Sequence, residues 1–397
     1  MSNDSRKVVG VLTTTRAEYG ILYPLIEKML KDTFFDVKVL VSGTHLDAEY
    51  GNSVQEIEND KVPIAAKIDI LSHDDSPFGV SKTMSIAVSK FAEYFAENKL
   101  DALVVLGDRY EVLAVCIAAM NERIPIIHLH GGETTEGAID ECIRHSITKM
   151  SQLHLTATDE YRGRVIQLGE NPNRVFNIGS IGVENVLKKN LLSKDELKVS
   201  LEEMNNSSKI INLDNPYGIV TFHPVTLEEN SAIDQINNLI DALDEHKELS
   251  YIITLANADS GGKIINEKIM AYARERENVY VFASLGALRY LSAVKYSAMV
   301  IGNSSSGIIE VPSFNIPTVN IGDRQKGRVR ANSVIDCGPS KEDISNAITK
   351  AESKEFVDVC ISANNPYFKE DASRNAVEII KKYLSSDIDL KKVFYTV

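Results

Sequence analysis

AMVIGNSSSGIIEVPSFNIPTVNI, residues 298–321, holds the repeating unit of the fold in one stretch. An apolar run, AMVI, stops at Gly302; three serines follow; an apolar helix-like pattern runs to Pro312, and a second apolar run, IPTVNI, closes the stretch. A strand that is apolar throughout is covered on both faces, and two such strands joined through a helix lie parallel in one sheet. The stretch predicts a βαβ unit whose GNSSSG loop sits at the C-terminal end of a strand, the end where doubly wound sheets bind ligands.

The same alternation extends in both directions. Upstream stand VVGVL at 8–12, VKVLV at 37–41, ALVVL at 102–106 and IPIIHL at 124–129. Helix-like stretches separate them, one of which sets Val88, Phe91 and Phe95 on a single face. The pattern pauses across 186–216, which is polar, charged and rich in Asn, then restarts with GIVTF at 218–222, YIITL at 251–255 and VYVF at 279–282. At 397 residues with 44% hydrophobic content, the chain can bury two cores. The expected fold class is α/β, with two Rossmann-like doubly wound domains facing a cleft. The N-terminal domain, which holds the candidate catalytic carboxylates, spans 1–185, and a nucleotide-binding domain spans 186–366. Residues 367–397 carry ASRNAVEIIKKYL, a helix expected to pack back on the N-terminal domain.

A formal charge of −13 speaks against nucleic acid or an anionic membrane as partner, because both are bound through clustered Lys and Arg. An anionic small ligand would need a local group of arginines. Cys116, Cys142, Cys337 and Cys360 stand far apart, with no CxxC or mixed Cys/His spacing, so neither a structural zinc nor a disulfide framework is indicated. They read as reduced thiols in a cytoplasmic protein. MSNDSRK at the start has no apolar region behind it, and no run of about 18 uncharged apolar residues occurs; export and membrane spanning are not expected.

The loops after strands carry the chemistry. In GNSSSG, small residues at a helix start let a phosphate reach free backbone N–H groups, and Ser304 and Ser305 add hydroxyls. A serine N-cap on a turn is the competing reading, and the missing Lys excludes a Walker A loop. IGDRQKGRVR, residues 321–330, concentrates Arg324, Lys326, Arg328 and Arg330, whose guanidinium forks suit phosphate oxygens. Glu310 could accept from ribose hydroxyls. His223, held before Pro224 at the end of GIVTF, could serve as donor or acid to a leaving phosphate, and Asn257 in ANADSGG could touch base or ribose or simply start a helix. In the N-terminal half Arg16 follows the first strand, and Asp108 and Arg109 follow ALVVL.

The densest stretch, HLHGGETTEGAIDECIRHSITKM at 128–150, gathers His128, His130, Glu133, Glu136, Asp140, Glu141, Arg144 and His145. It has no HExxH or comparable spacing, so acid/base chemistry fits it better than a metal. Crowded carboxylates and imidazoles shift one another toward the working pH range. Part of it, Asp140 to His145, reads equally as a helix surface.

Taken in order, RAEYG, GDRYE, HGGETTEGAIDECIRHSITKM, FHPVT, NADSG, GNSSSGIIEVPS and IGDRQKGR resemble the hydrolysing UDP-N-acetylglucosamine 2-epimerases, most of all the bacterial type serving sialic acid synthesis, and the match runs from about residue 8 to 380. The resemblance implies the two-domain glycosyltransferase-B arrangement with no metal and no organic cofactor. It implies elimination of UDP to 2-acetamidoglucal, hydration to N-acetylmannosamine, and a homo-oligomer, dimer or tetramer. It places UDP contacts on Arg16, Arg109, His223, Asn257, Ser304, Ser305, Glu310 and Arg324, and catalytic carboxylates on Asp108 and Asp140. Animal relatives read HIEGGE where this chain reads HLHGGE, so a catalytic Glu of theirs falls on His130 while Glu133 remains; both are candidates. A serine of theirs near the first motif is Gly20 here, and no kinase domain follows, so the product would leave unphosphorylated.

The same residues admit three other readings. The same reaction could act on a related nucleotide sugar, the UDP-linked 2,4-diacetamido-trideoxy sugar or a GDP-linked one, with SHDDSPFGVSK at 72–82 as a flexible loop at the sugar end. A glycosyltransferase of the same fold would need an acceptor and less acid/base capacity. A binding regulator would have no use for intact Asp108, Glu133 and Asp140.

Overall fold

The computed structural model describes residues 6–48, 50–74, 76–136, 139–205, 209–224, 232–256 and 262–396. The chain divides into two compact units: 1–133 with 140–185 and 369–397, and 134–139 with 186–368. Each is a parallel sheet with helices packed on it.

In the first unit, β1 (Lys7–Thr13), β2 (Phe35–Ser42), β3 (Ile64–Ile68), β4 (Ala102–Leu106), β5 (Ile126–Leu129), β6 (Leu153–Thr156) and β7 (Val175–Asn177) lie in the order β3-β2-β1-β4-β5-β6-β7. Every neighbouring pair is parallel. Successive strand residues point to opposite faces, and two cores follow from that alternation. Val9, Val11 and Val104 join Leu22, Leu25, Ile26 and Met29 of the helix Arg16–Lys31. Leu12, Leu103 and Val105 join Phe91 and Phe95 of the helix Pro77–Glu97 on the other face. The terminal helix Ala372–Leu384 adds Ala376, Val377, Ile380 and Leu384 to the first of these cores, with Lys381 paired to Asp32 at 2.8 Å.

In the second unit, β8 (Tyr217–Thr221), β9 (Ser250–Thr254), β10 (Val279–Phe282), β11 (Met299–Gly302), β12 (Thr318–Ile321) and β13 (Val334–Cys337) run parallel in the order β10-β9-β8-β11-β12-β13. Strand order reverses between β1 and β4 in one sheet and between β8 and β11 in the other. Such switch points open a crevice beyond the C-terminal strand ends, so the loops after these four strands are the ones placed to meet a ligand.

Two expectations need correction. The polar pause at 186–216 contains the helix Lys194–Met204, started by a capping box between Ser193 and Glu196 and buried through Leu197 and Leu201. SHDDSPFGVSK is not a loop throughout: Ser76 caps a helix that begins at Pro77, so its second half is helical.

Candidate functional site

In the first unit β4 hands over to Gly107, whose φ of 77° turns the chain so that Asp108 and Arg109 stand before the helix Tyr110–Asn121. The next strand, β5, ends in a tighter turn. His130 has a φ of 63°, unusual for a residue with a side chain, and at Gly132, with φ 79°, a Cβ would run into the carbonyl of Tyr161. This turn delivers Glu133, whose Oε1 lies 2.7 Å from His130 Nδ1; His130 Nε2 has no partner among the described residues.

Arg144 binds the two strand ends together. It is 1% exposed, on the helix Asp140–Met150, and donates to the Glu133 carbonyl (2.9 Å), to Glu141 (2.9 Å) and to Asp108. Beneath it, His128 donates from Nε2 to the Gly107 carbonyl at 2.8 Å, and burial pushes this imidazole down to about 3. It is a neutral strut under the Asp108 turn.

Beside this group lies a second one. Arg109 pairs with the fully buried Glu111 at 2.9 Å. Glu18 accepts from the Thr14 backbone and hydroxyl at 2.6 and 2.8 Å; burial raises it to about 7, with Arg109 opposing the rise and Glu111 adding to it. His45 bridges Thr13 and Ser53 at 2.9 and 2.8 Å, and burial lowers it to about 4.

In the second unit the ends of β8, β11 and β12 meet at Asn303. β11 ends at Gly302, with φ 134°, and the short helix Ser305–Ile309 follows, with Ser304 as its N-cap. β12 ends at Ile321, and Gly322, with φ 70°, turns the chain toward Arg324 and Gln325. The buried Asn303 side chain accepts from the His223 N–H and donates to the His223 carbonyl, both at 2.7 Å. Arg324 and Gln325 donate to the Asn303 carbonyl at 3.1 and 2.9 Å. Burial, and then the Arg324 charge, lowers His223 to about 4.

The structure thus brings Asp108, His130 and Glu133 together in one unit, and His223, Ser304, Ser305 and Arg324 in the other. Asp140 opens the helix that carries Arg144. Arg16 is drawn aside: it is exposed and pairs with Glu56 at 2.6 Å. Glu310 follows the short helix as its C-cap. Asn257 lies outside the described residues. Reasoning from sequence did not single out Glu18, Glu111 or Gln325, and gave Arg144 and Asn303 no role. Only Glu18 carried a readable signal, the Thr15 to Glu18 capping box.

The family described as UDP-N-acetylglucosamine 2-epimerase matches residues 27–381. The chain is 44% identical over 98% of both chains to a polysialic acid biosynthesis protein P7 of Escherichia coli. It is 41% identical, over 89% of both, to a hydrolysing GDP/UDP-N,N'-diacetylbacillosamine 2-epimerase of Campylobacter jejuni. A hydrolysing UDP-N,N'-diacetylbacillosamine 2-epimerase of Legionella pneumophila is 32% identical over 95% of this chain and 96% of its own. Among solved structures, the UDP-GlcNAc 2-epimerase of Neisseria meningitidis superimposes with a TM-score of 0.80 at 19% identity, over 95% of this chain and all of that one, and gives the two-domain α/β fold as of the glycosyltransferase-B kind. The chain is therefore a member of the UDP-N-acetylglucosamine 2-epimerase family.

Proposed function

We propose that the protein is a hydrolysing 2-epimerase that converts UDP-N-acetylglucosamine to UDP and N-acetylmannosamine. A base removes the C2 proton, the C1–O bond to the diphosphate breaks with its electrons going to UDP, and 2-acetamidoglucal remains. Water then adds its hydroxyl to C1 and a proton to C2 from the opposite face. The observation that carries this reading is the buried Arg144, which fixes Asp108 and the Glu133 turn on one guanidinium. Two carboxylates from neighbouring strand ends, one of them touching His130, are the equipment for taking a proton and returning one.

In this reading Asp108, Glu133 and Asp140 share the acid/base work with His130, and the second unit receives the nucleotide. Ser304, Ser305 and Arg324 contact the diphosphate, and His223 offers a neutral imidazole N–H to the departing phosphate. Arg109, Arg16, Glu310 and Asn257 complete the set of substrate contacts. Proton NMR in D₂O, with UDP-N-acetylglucosamine and no acceptor, tests it: UDP and N-acetylmannosamine carrying deuterium at C2 are expected, and an unchanged substrate overturns it.

The relatives named for diacetylbacillosamine, at 41 and 32% identity, favour one second reading: the same reaction on a UDP- or GDP-linked diacetamido sugar. The ratio of kcat/KM for the two sugars decides between them.

A further inference from the structure

We infer that Asn303 is a positioning residue of the nucleotide site, the part that sets His223 and Arg324 in register with each other. The inference rests on the reading of those two residues as UDP contacts. β8 ends at Thr221, yet the chain stays buried through His223, and Pro224 has no N–H with which to continue a ladder. The backbone N–H and C=O of His223 therefore need partners from outside the sheet. One side chain supplies both: the Asn303 amide accepts from that N–H and donates to that carbonyl, each at 2.7 Å.

An amide is suited to this because it offers a donor and an acceptor in the spacing of a peptide group. The Asn303 N–H donates in turn to the Thr221 carbonyl at 3.1 Å, so the residue extends the β8 to β11 pairing past its last register pair, Thr221 with Gly302. Its own carbonyl receives Arg324 and the buried Gln325 at 3.1 and 2.9 Å. Its peptide leads directly into Ser304. The three strand ends that hold the proposed phosphate contacts are thus referred to one residue. The imidazole it places is itself buried, with Nδ1 lacking a partner among the described residues. No other residue type provides this set: Asp loses the donor, Ser loses reach, and Gln adds a methylene.

A positioning role predicts coupling, which simple destabilisation does not. UDP affinity measured calorimetrically for wild type, Asn303→Ser, His223→Ala and the double variant should give a non-additive cycle: each single change weakens binding about tenfold or more, and the double variant is little worse than either alone. Additive losses would overturn the inference. Gln325→Met keeps the bulk and removes one donor to the Asn303 carbonyl, so it serves even if Asn303→Ser folds poorly. It should weaken UDP binding at least about threefold with little change in Tm, and an unchanged affinity counts against the hub. Wild-type protein that fails to bind UDP at all would sink the reading of the site rather than the role of Asn303 within it.

Discussion

Two buried titratable side chains run against their solution values in opposite directions, and each has a checkable consequence. His223 is held at about 4, below the ordinary imidazole value near 6.5, because burial and then Arg324 disfavour its cation. The folded state therefore resists protonation: the stability that depends on neutral His223 is present above about pH 6.5 and is lost as pH falls toward 4. Its imidazole NMR shifts should stay flat from pH 8 to 5; a midpoint above 6 would contradict the neutral-donor role. Glu18 behaves in the reverse sense. Burial raises it from 4.5 to about 7, so the neutral carboxyl favours the fold, and that advantage is lost as pH rises through 7. Glu18→Gln should gain on wild type by roughly 2–3 kcal/mol at pH 8.5 and by little at pH 5, as read from urea unfolding. A gain independent of pH would place the cause elsewhere. Asp108→Asn retains the shape of the side chain that Arg144 holds, and Arg144 keeps Glu141 and the Glu133 carbonyl. Its kcat should fall about 10² to 10⁴-fold, with UDP affinity within about threefold of wild type. Equal loss of both would mean that Asp108 only binds.

At the scale of elements, the loops after the strands matter more than the strands themselves, and glycine decides how sharply they turn. Gly302 ends β11 at φ 134°, and a Cβ there would be driven into the carbonyl of Thr221. Gly302→Ala should cost about 2–4 kcal/mol and weaken UDP binding together with the displaced serines. Thermal melting with calorimetry checks both, and a variant with wild-type Tm and affinity would show the turn to be permissive. Sequence patterning revealed the apolar strands of both sheets, because burial on two faces writes a continuous apolar run. It missed Ile64–Ile68, Leu153–Thr156, Val175–Asn177 and Val334–Cys337, which are short and carry Lys67, His154, Asn177 and Asp336 within them. It also passed over Lys194–Met204, whose buried Leu197 and Leu201 are outnumbered by charges. At the site, residue types were legible where their chemistry was local. Arg144 was not assigned because a fully buried arginine inside a charged helix segment looks like surface until Asp108, Glu141 and the Glu133 carbonyl are seen to accept from it. The Asn303 hub joins positions about eighty residues apart in the chain, and no local pattern records such a pairing.

For the molecule as a whole, the C-terminal segment is the decisive part of the architecture. The chain leaves the first unit at Asn185, builds the second, and returns at Lys369. The returning helix is not an ornament on the surface: Ala372, Ala376 and Ile380 are fully buried among Leu22, Leu25 and Ile26, and the Ser373 N–H donates to the buried Glu184 carboxylate at 2.6 Å. The first core is therefore incomplete without the helix Ala372–Leu384, whereas the second core, with Ile301, Val319, Ile344 and Ile348, draws on a continuous stretch. Ile380→Ala should remove about 2–5 kcal/mol from the first unit alone. Native-state hydrogen exchange reads this directly: the amides of β1 and β2 should exchange faster, on the order of a hundredfold for a loss near 3 kcal/mol, while those of β8 and β11 keep their wild-type rates. Ile348→Ala should produce the mirror result. Equal acceleration in both sheets from either change would mean that the two cores unfold as one cooperative body, and the terminal helix would then stabilise the whole chain rather than complete one half of it.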